Sequence, residues 1–231
     1  MQAGLNYRSL RAPRRHGEVL IHPAWDSLPQ HLQQNCHQLQ TFDFDLCGRP
    51  ASEVRDAARQ QMLQQAQDYS RQYRDALPTV PVGQESRLVL TGHQPELFHA
   101  GVWFKNFVLH RVSEELDAVA VHLIIDNDVS KSTLLQIPTI TGEQANRESV
   151  AFDRPLPHAP LEERRIVDND LFATFGDRAA AAIHPLVAEP LLRDAWPLAV
   201  AAGRRSQRLG LALAQMRHQV EANCGLRTLE L

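Results

Sequence analysis

The residues best suited to chemistry crowd into one stretch, RLVLTGHQPELFHAGVWFKN, spanning 87–106. Thr91, Gly92, His93 and Gln94 follow a short β-prone apolar run, Leu88 to Leu90. Gly92 lets backbone approach a ligand closely or adopt an unusual φ, and Pro95 stiffens the turn. His93 and Gln94 can both donate and accept hydrogen bonds near neutral pH. His99 stands just before Gly101, where helical periodicity begins, and Lys105 lies about one turn in. Together these side chains would converge on a phosphate, carboxylate or carbonyl held at a helix N-terminus. The plainer alternative is a tight βα turn whose histidines are exposed or bonded to backbone. Four polar side chains at one strand end favour a ligand site, because α/β folds build their sites there.

A second group, Asp126, Asn127 and Asp128, closes the apolar run AVAVHLII, 118–125. Asp126 and Asp128 could act as a general base, hold an amine or ribose, or bind a divalent cation; a solvated strand end is the alternative. The catalytic candidates are therefore Asp126, Asp128 and His93. The ligand-binding candidates are Thr91, Gly92, Gln94, His99 and Lys105, and no metal ligands are assigned. His122, inside an apolar strand, reads as a core or site-wall histidine. Trp103 and Phe104 read as core or pocket-wall aromatics. The pairs Arg164–Arg165 and Arg204–Arg205 read as solvated faces.

These residues need a scaffold that the pattern also supplies. Strand 87–91, helix 101–116 and strand 118–125 make a βαβ unit, with a continuous apolar run expected of a strand covered on both faces. Before it, Val54, Ala58, Met62, Ala66, Tyr69, Tyr73 and Leu77 recur at helical spacing from a Ser52 N-cap to Pro78, a helix ~38 Å long. Residues 1–50, broken by Pro13, Pro23 and Pro29, read as an extended wrapping segment. After the core come strands at 133–140 and 149–152, then helices at 168–183, 185–196 and 198–223. Gly225 is placed as a C-cap, and 226–231 starts a strand. The expected division is 1–83, an extended segment plus long helix, and 84–231, a Rossmann-like parallel α/β core. A fold that closes on the start of a strand suggests an incomplete or shortened version of a longer one.

Composition narrows the function classes. The chain has 231 residues, 43% hydrophobic and 22% charged, with a net charge of -3. That balance gives no reason to expect nucleic acid or an anionic membrane as partner, and no segment reads as a signal peptide or membrane span. A cytoplasmic location is expected. Three cysteines without a CxxC pair suggest neither disulfides nor structural zinc. His16, His22, His31 and His37, scattered through polar sequence, read as surface residues.

The central stretch resembles the TGQQ-x-x-LF loop, with its downstream lysine, of the bacillithiol-biosynthesis cysteine-adding enzymes. Thr91, Gly92, Gln94, Leu97, Phe98 and Lys105 match without a gap, and His93 stands where the family has its first glutamine. The acidic strand end IIDND, 124–128, and the preceding long helix have counterparts there too. The resemblance implies a Rossmann-like core and the joining of cysteine to a glucosaminyl malate; the family's large C-terminal coiled-coil part has no counterpart in this sequence. The stretch is more distantly similar to HIGH-type nucleotidyltransferases, with Val102 in place of their second histidine. Through its HQP opening it is similar to WbqC-like proteins. The expected function is a small-molecule ligase or transferase binding an anionic or nucleotide-like ligand at 91–105, with ATP or ADP left open as cofactor. The competing reading is a non-catalytic ligand-binding or assembly module, with a homo-oligomer or a partner chain completing the fold.

Overall fold

The computed structural model describes residues 10–80, 87–97, 99–130, 132–155 and 158–231. The chain divides into two compact units, Met1–Arg55 and Asp56–Leu231. The expected boundary at 83–84 lies outside the described residues.

The first unit is not simply extended. Helix α1, Leu28–Gln40, follows a 3-10 turn at Trp25–Ser27. Pro29 sits in the first turn of α1, where its missing N–H removes no intrahelical bond, so it starts a helix instead of breaking one. Strands β1, Asp45–Leu46, and β2, Arg49–Pro50, form a minimal hairpin. Both turn residues, Cys47 and Gly48, have positive φ, 54° and 85°, the signature of a tight hairpin turn. The four histidines 16, 22, 31 and 37 are exposed, as expected.

Helix α2, Ala51–Arg71, runs 21 residues and stops before Leu77. Tyr73 N and Arg74 N both return to Ser70 O, at 3.3 and 3.0 Å, so the chain turns six residues ahead of the prolines. The early stop lets Tyr73 and Arg74 reach buried polar partners described below.

In the second unit, β3 (Arg87–His93), β4 (Ala118–Ile124) and β7 (Leu229–Glu230) form a parallel sheet in the order β3-β4-β7. Helix α3, Ala100–Glu115, links β3 to β4. Val119, Val121 and Leu229 pack on Met62, Leu63 and Ala66 of α2, forming a small core on one face. Strand alternation sends Ala120, His122 and Glu230 to the other face. Gly92 fits a tight spot at the end of β3: a Cβ there would stand 3.1 Å from Leu123 O and 3.3 Å from Leu123 Cβ.

Strands β5, Leu134–Thr141, and β6, Gln144–Ala151, pair antiparallel as a separate hairpin. The second of them begins earlier than its apolar residues suggest. Its first six positions are exposed, so backbone pairing across the Gly142 turn carries it in place of a hydrophobic face.

Helices α4 (Asn169–Ile183), α5 (Leu191–Ser206) and α6 (Leu209–Asn223) complete the unit. Asp168 caps α4, accepting from Leu171 N at 2.9 Å. The expected break near Pro197 is absent; Pro197 lies inside α5, and the chain turns at Gln207 with φ 56°. Pro197 is on the exposed side of α5, while Ala195, Trp196, Ala199 and Ala202 are buried as one face. The helix keeps that burial and leaves the unpaired carbonyl to water. Arg164 also departs from expectation: it is only 4% exposed, in a connecting segment, and its side chain donates to Arg154 O at 3.3 Å. Among the described residues, no helix is long and apolar enough to cross a membrane.

The main core centres on Trp196, whose ring centroid lies 4.4 Å from that of Phe175 and 4.9 Å from that of Phe172. Its indole N–H donates to Phe172 O at 2.5 Å. α4 meets this indole at Gly176, where a Cβ would fall 2.5 Å from Trp196 Cβ. Gly176→Ala is therefore expected to destabilise the fold by about 1–3 kcal/mol through overpacking, despite adding a better helix former. Thermal denaturation checks this; an unchanged or raised midpoint would contradict it.

Candidate functional site

The polar residues of the central stretch stand at the carboxyl end of β3, next to the carboxyl end of β4. Thr91 is in register with His122 and His93 with Ile124, so all four side chains turn to the face that carries Glu230. Gln94 Nε2 donates to Asp128 Oδ2 at 2.8 Å and ties the two strand ends together. Asp128 Oδ1 accepts from Val129 N at 2.8 Å, which fixes its orientation. Lys105 Nζ reaches back from α3 to Gly92 O at 3.0 Å, where desolvation lowers its pKa. His93 Nδ1 lies 3.3 Å from Gln94 O. Thr91, Gly92, His93, Gln94, Lys105 and Asp128 thus come together, as the sequence pattern suggests. Phe98 lies outside the described residues.

Two other candidates are placed differently. His99 is the N-cap of α3: its Nδ1 accepts from Gly101 N at 3.0 Å. Its carbonyl accepts from Val102 N and Trp103 N, at 2.8 and 3.1 Å. The helix end is therefore satisfied by its own cap, and an anion binding there would displace the imidazole. Asp126 engages the neighbouring segment through its backbone. Its carbonyl accepts from Glu162 N at 2.9 Å, and its charge acts on Tyr69, a hydroxyl that burial foremost pushes up to about 12. Among the described residues, no cluster of three or more His, Cys, Asp or Glu could hold a metal ion.

A cavity of about 260 Å³ opens beside the loop. Leu97, Trp103, Leu192, Met216 and Val220 make its walls apolar, with Glu96 and Arg217 as its charged members. A larger cavity, about 650 Å³, lies at the amino ends of the strands, against Ala118 and Leu226. The smaller one is the better site, since ligands of open α/β sheets bind at the carboxyl ends.

Arg217 leads from this cavity into a buried polar network that the sequence reading did not single out. Its Nη1 donates to both carboxylate oxygens of Glu221, at 3.0 Å each. Its Nη2 donates to Glu230 Oε1 and lies 3.3 Å from His122 Nδ1. Glu221 also accepts from Trp103 Nε1 at 2.7 Å and from Asn106 Nδ2 at 2.6 Å, which locks the cavity wall. Tyr73 donates to Glu230 Oε2 at 3.0 Å and lies 2.7 Å from His218 Nδ1. Arg74 lies 2.9 Å from His218 Nε2 and donates to Thr228 O at 3.1 Å. His122, expected as a satisfied core histidine, is half satisfied: Nδ1 lies 3.2 Å from Glu230 Oε1, while its buried Nε2 has no hydrogen-bond partner. The signal available in the sequence was Arg217 and Glu221 four apart, with His218 beside them, on a helix whose first half is apolar, and a lone acid in the closing strand.

Both histidines are held neutral. Burial foremost, then the charge of Arg217, lowers His122 to about 2. Burial, then Arg74 and Arg217, holds His218 well below the ordinary 6.5. A proton taken up below about pH 6.5 therefore goes to the unfolded chain and not to the folded one. Stability from these groups is complete above that pH and falls as pH drops, by up to about 1.4 kcal/mol per pH unit for each histidine. Urea denaturation at pH 7 and pH 5 is expected to show a lower midpoint at pH 5, with a smaller drop for His218→Gln. Equal midpoints in the parent would contradict the neutral assignment.

No protein-family model matches the chain, and no curated protein matches it, so the site is read from its own geometry.

Proposed function

We propose that the second unit is a Rossmann-like core and that the chain is a cytoplasmic small-molecule ligase or transferase, similar to the cysteine-adding enzymes. The supporting observation is the pinned loop at the carboxyl ends of β3 and β4. Gln94 is bonded to Asp128 and Lys105 to Gly92 O, and the next residues of the same loop, Glu96 and Leu97, line an apolar cavity. In this reading Lys105, His93 and Thr91 hold an anionic group, and Asp128 holds or deprotonates an amine. ATP or ADP would place its phosphates against Lys105 and the α3 end, with His99 swinging aside.

The His99 cap, which already satisfies the N-terminus of α3, favours a second reading: a module that binds the same ligand without turning it over. One set of measurements distinguishes the two. Calorimetry and thermal shift with ATP, ADP, cysteine and glucosaminyl malate are expected to show that at least one stabilises the parent. His93→Ala and Lys105→Ala are expected to weaken that binding about tenfold or more, ~1.4 kcal/mol each. Product formation from the combined ligands supports the enzyme, and binding without product supports the module. No stabilising ligand, or variants that bind as well as the parent, would overturn the site.

A further inference from the structure

Two histidines belong to the buried polar network, and they are met differently. His218 has the Tyr73 hydroxyl at Nδ1, 2.7 Å away, and Thr228 O at Nε2, 3.0 Å away. His122, 2% exposed, has partners at Nδ1 alone. A guanidinium can only donate, so Arg217 Nη2 at 3.3 Å makes Nδ1 the acceptor and leaves the proton of the neutral ring on Nε2. Glu230 Oε1, 3.2 Å from the same nitrogen, already accepts from Arg217 and meets the ring as a charge contact. His122 Nε2–H is thus a buried donor with no acceptor among the described residues. Such a group costs free energy, and an aliphatic side chain would continue the run AVAVHLII without it.

The ring is turned so that this donor faces the candidate site. His122 is in register with Glu230 of β7 on one side and with Thr91 of β3 on the other. Nδ1 points to the Glu230 side, and in an imidazole Nε2 lies on the edge opposite Nδ1. That edge therefore faces β3, whose Thr91 and His93 share the same face of the sheet. Burial foremost holds the ring neutral, and the charges of Arg217, His218, Lys105 and His93 add to it, so the two loop side chains lie within electrostatic reach of the imidazole.

We propose, building on the ligand site of Thr91, His93 and Lys105 described above, that His122 Nε2–H is the innermost binding group of that site and donates to a carboxylate oxygen of a bound small molecule. Lys105 holds the negative charge of the same carboxylate, and the Thr91 hydroxyl, in register with His122, adds a second neutral donor. One ammonium with neutral donors matches the single charge of a carboxylate, whereas a doubly charged phosphate calls for a second cation. A histidine kept neutral in this way contributes direction without charge: it aims one N–H at one oxygen, as a neutral imidazole does when it polarises a carbonyl. Arg217 and Glu230 then have a role at the site, since together they fix the ring and its tautomer.

Nitrogen NMR of the whole chain with isotope-labelled histidine, titrated with acetate, L-cysteine and inorganic phosphate, tests this. In the free protein His122 is expected as the Nε2-protonated tautomer. Acetate and cysteine are expected to move its Nε2 and Nε2–H signals, and phosphate to leave them in place. By calorimetry His122→Leu and Lys105→Ala are each expected to weaken cysteine binding about tenfold. A free ring protonated on Nδ1, or signals that answer phosphate and neither carboxylate, would overturn the proposal; both readouts use the parent alone and stand should His122→Leu fail to fold. Cysteine that binds His122→Leu as tightly as the parent, while Lys105→Ala loses it, would remove His122 and leave the ligand site intact. Acetate and cysteine that do not bind the parent would overturn the ligand site itself, and the role of His122 with it.

Discussion

The guanidinium of Arg217 is the point on which the second unit turns. It lies between Glu221, on its own helix, and Glu230, on the closing strand, with His122 of the central strand beside it. α6, β7 and the distant β4 are thereby joined through one buried cation. Burying such a charge costs several kcal/mol unless its partners meet it fully. Here two carboxylates and two cations, Arg217 and Arg74, balance within a setting of neutral histidine and tyrosine. α6 can therefore present two faces at once. Ala212, Leu213 and Met216 join the aromatic core, while Arg217, His218 and Glu221 face the sheet.

This polar seam gives the candidate site its rigidity. Glu221 fixes Trp103 and Asn106, so the first two turns of α3 are positioned from below. Pro95 packs on the start of α6, where a Cβ on Gly210 would stand 3.2 Å from Pro95 Cγ. The start of the loop between β3 and α3 is thus held by Asp128 through Gln94 and by α6 through Pro95. Preorganised donors of this kind lose little entropy when a ligand arrives.

Much of this was legible in the sequence because it rests on local pattern. The β3–α3–β4 unit, the loop residues and the Asp168-capped helix follow from apolar periodicity and turn chemistry. What was not legible depended on where a side chain turns, on which face is buried, or on contacts distant in the chain. His99 looked like a ligand and serves as a cap, because only the structure shows where its imidazole turns. Pro197 looked like a helix break and is not, because burial of Trp196 and Ala199 outweighs one lost hydrogen bond. Pro29 looked like an interruption and begins a helix. Arg217 and Glu221 stand four apart as on any solvated helix face, and only the fold brings Glu230 and His122 to the same guanidinium and excludes the water.

A double-mutant cycle between Arg217 and Glu230 tests the central role of this network most directly. Arg217→Met and Glu230→Gln each strand a buried charge and should each lower unfolding free energy by about 3–5 kcal/mol. Combined, they should cost less than the sum of the single losses by more than about 2 kcal/mol. Losses that add within about 0.5 kcal/mol would show that the two side chains act independently, and would contradict the charge network as the element that joins α6 to the sheet.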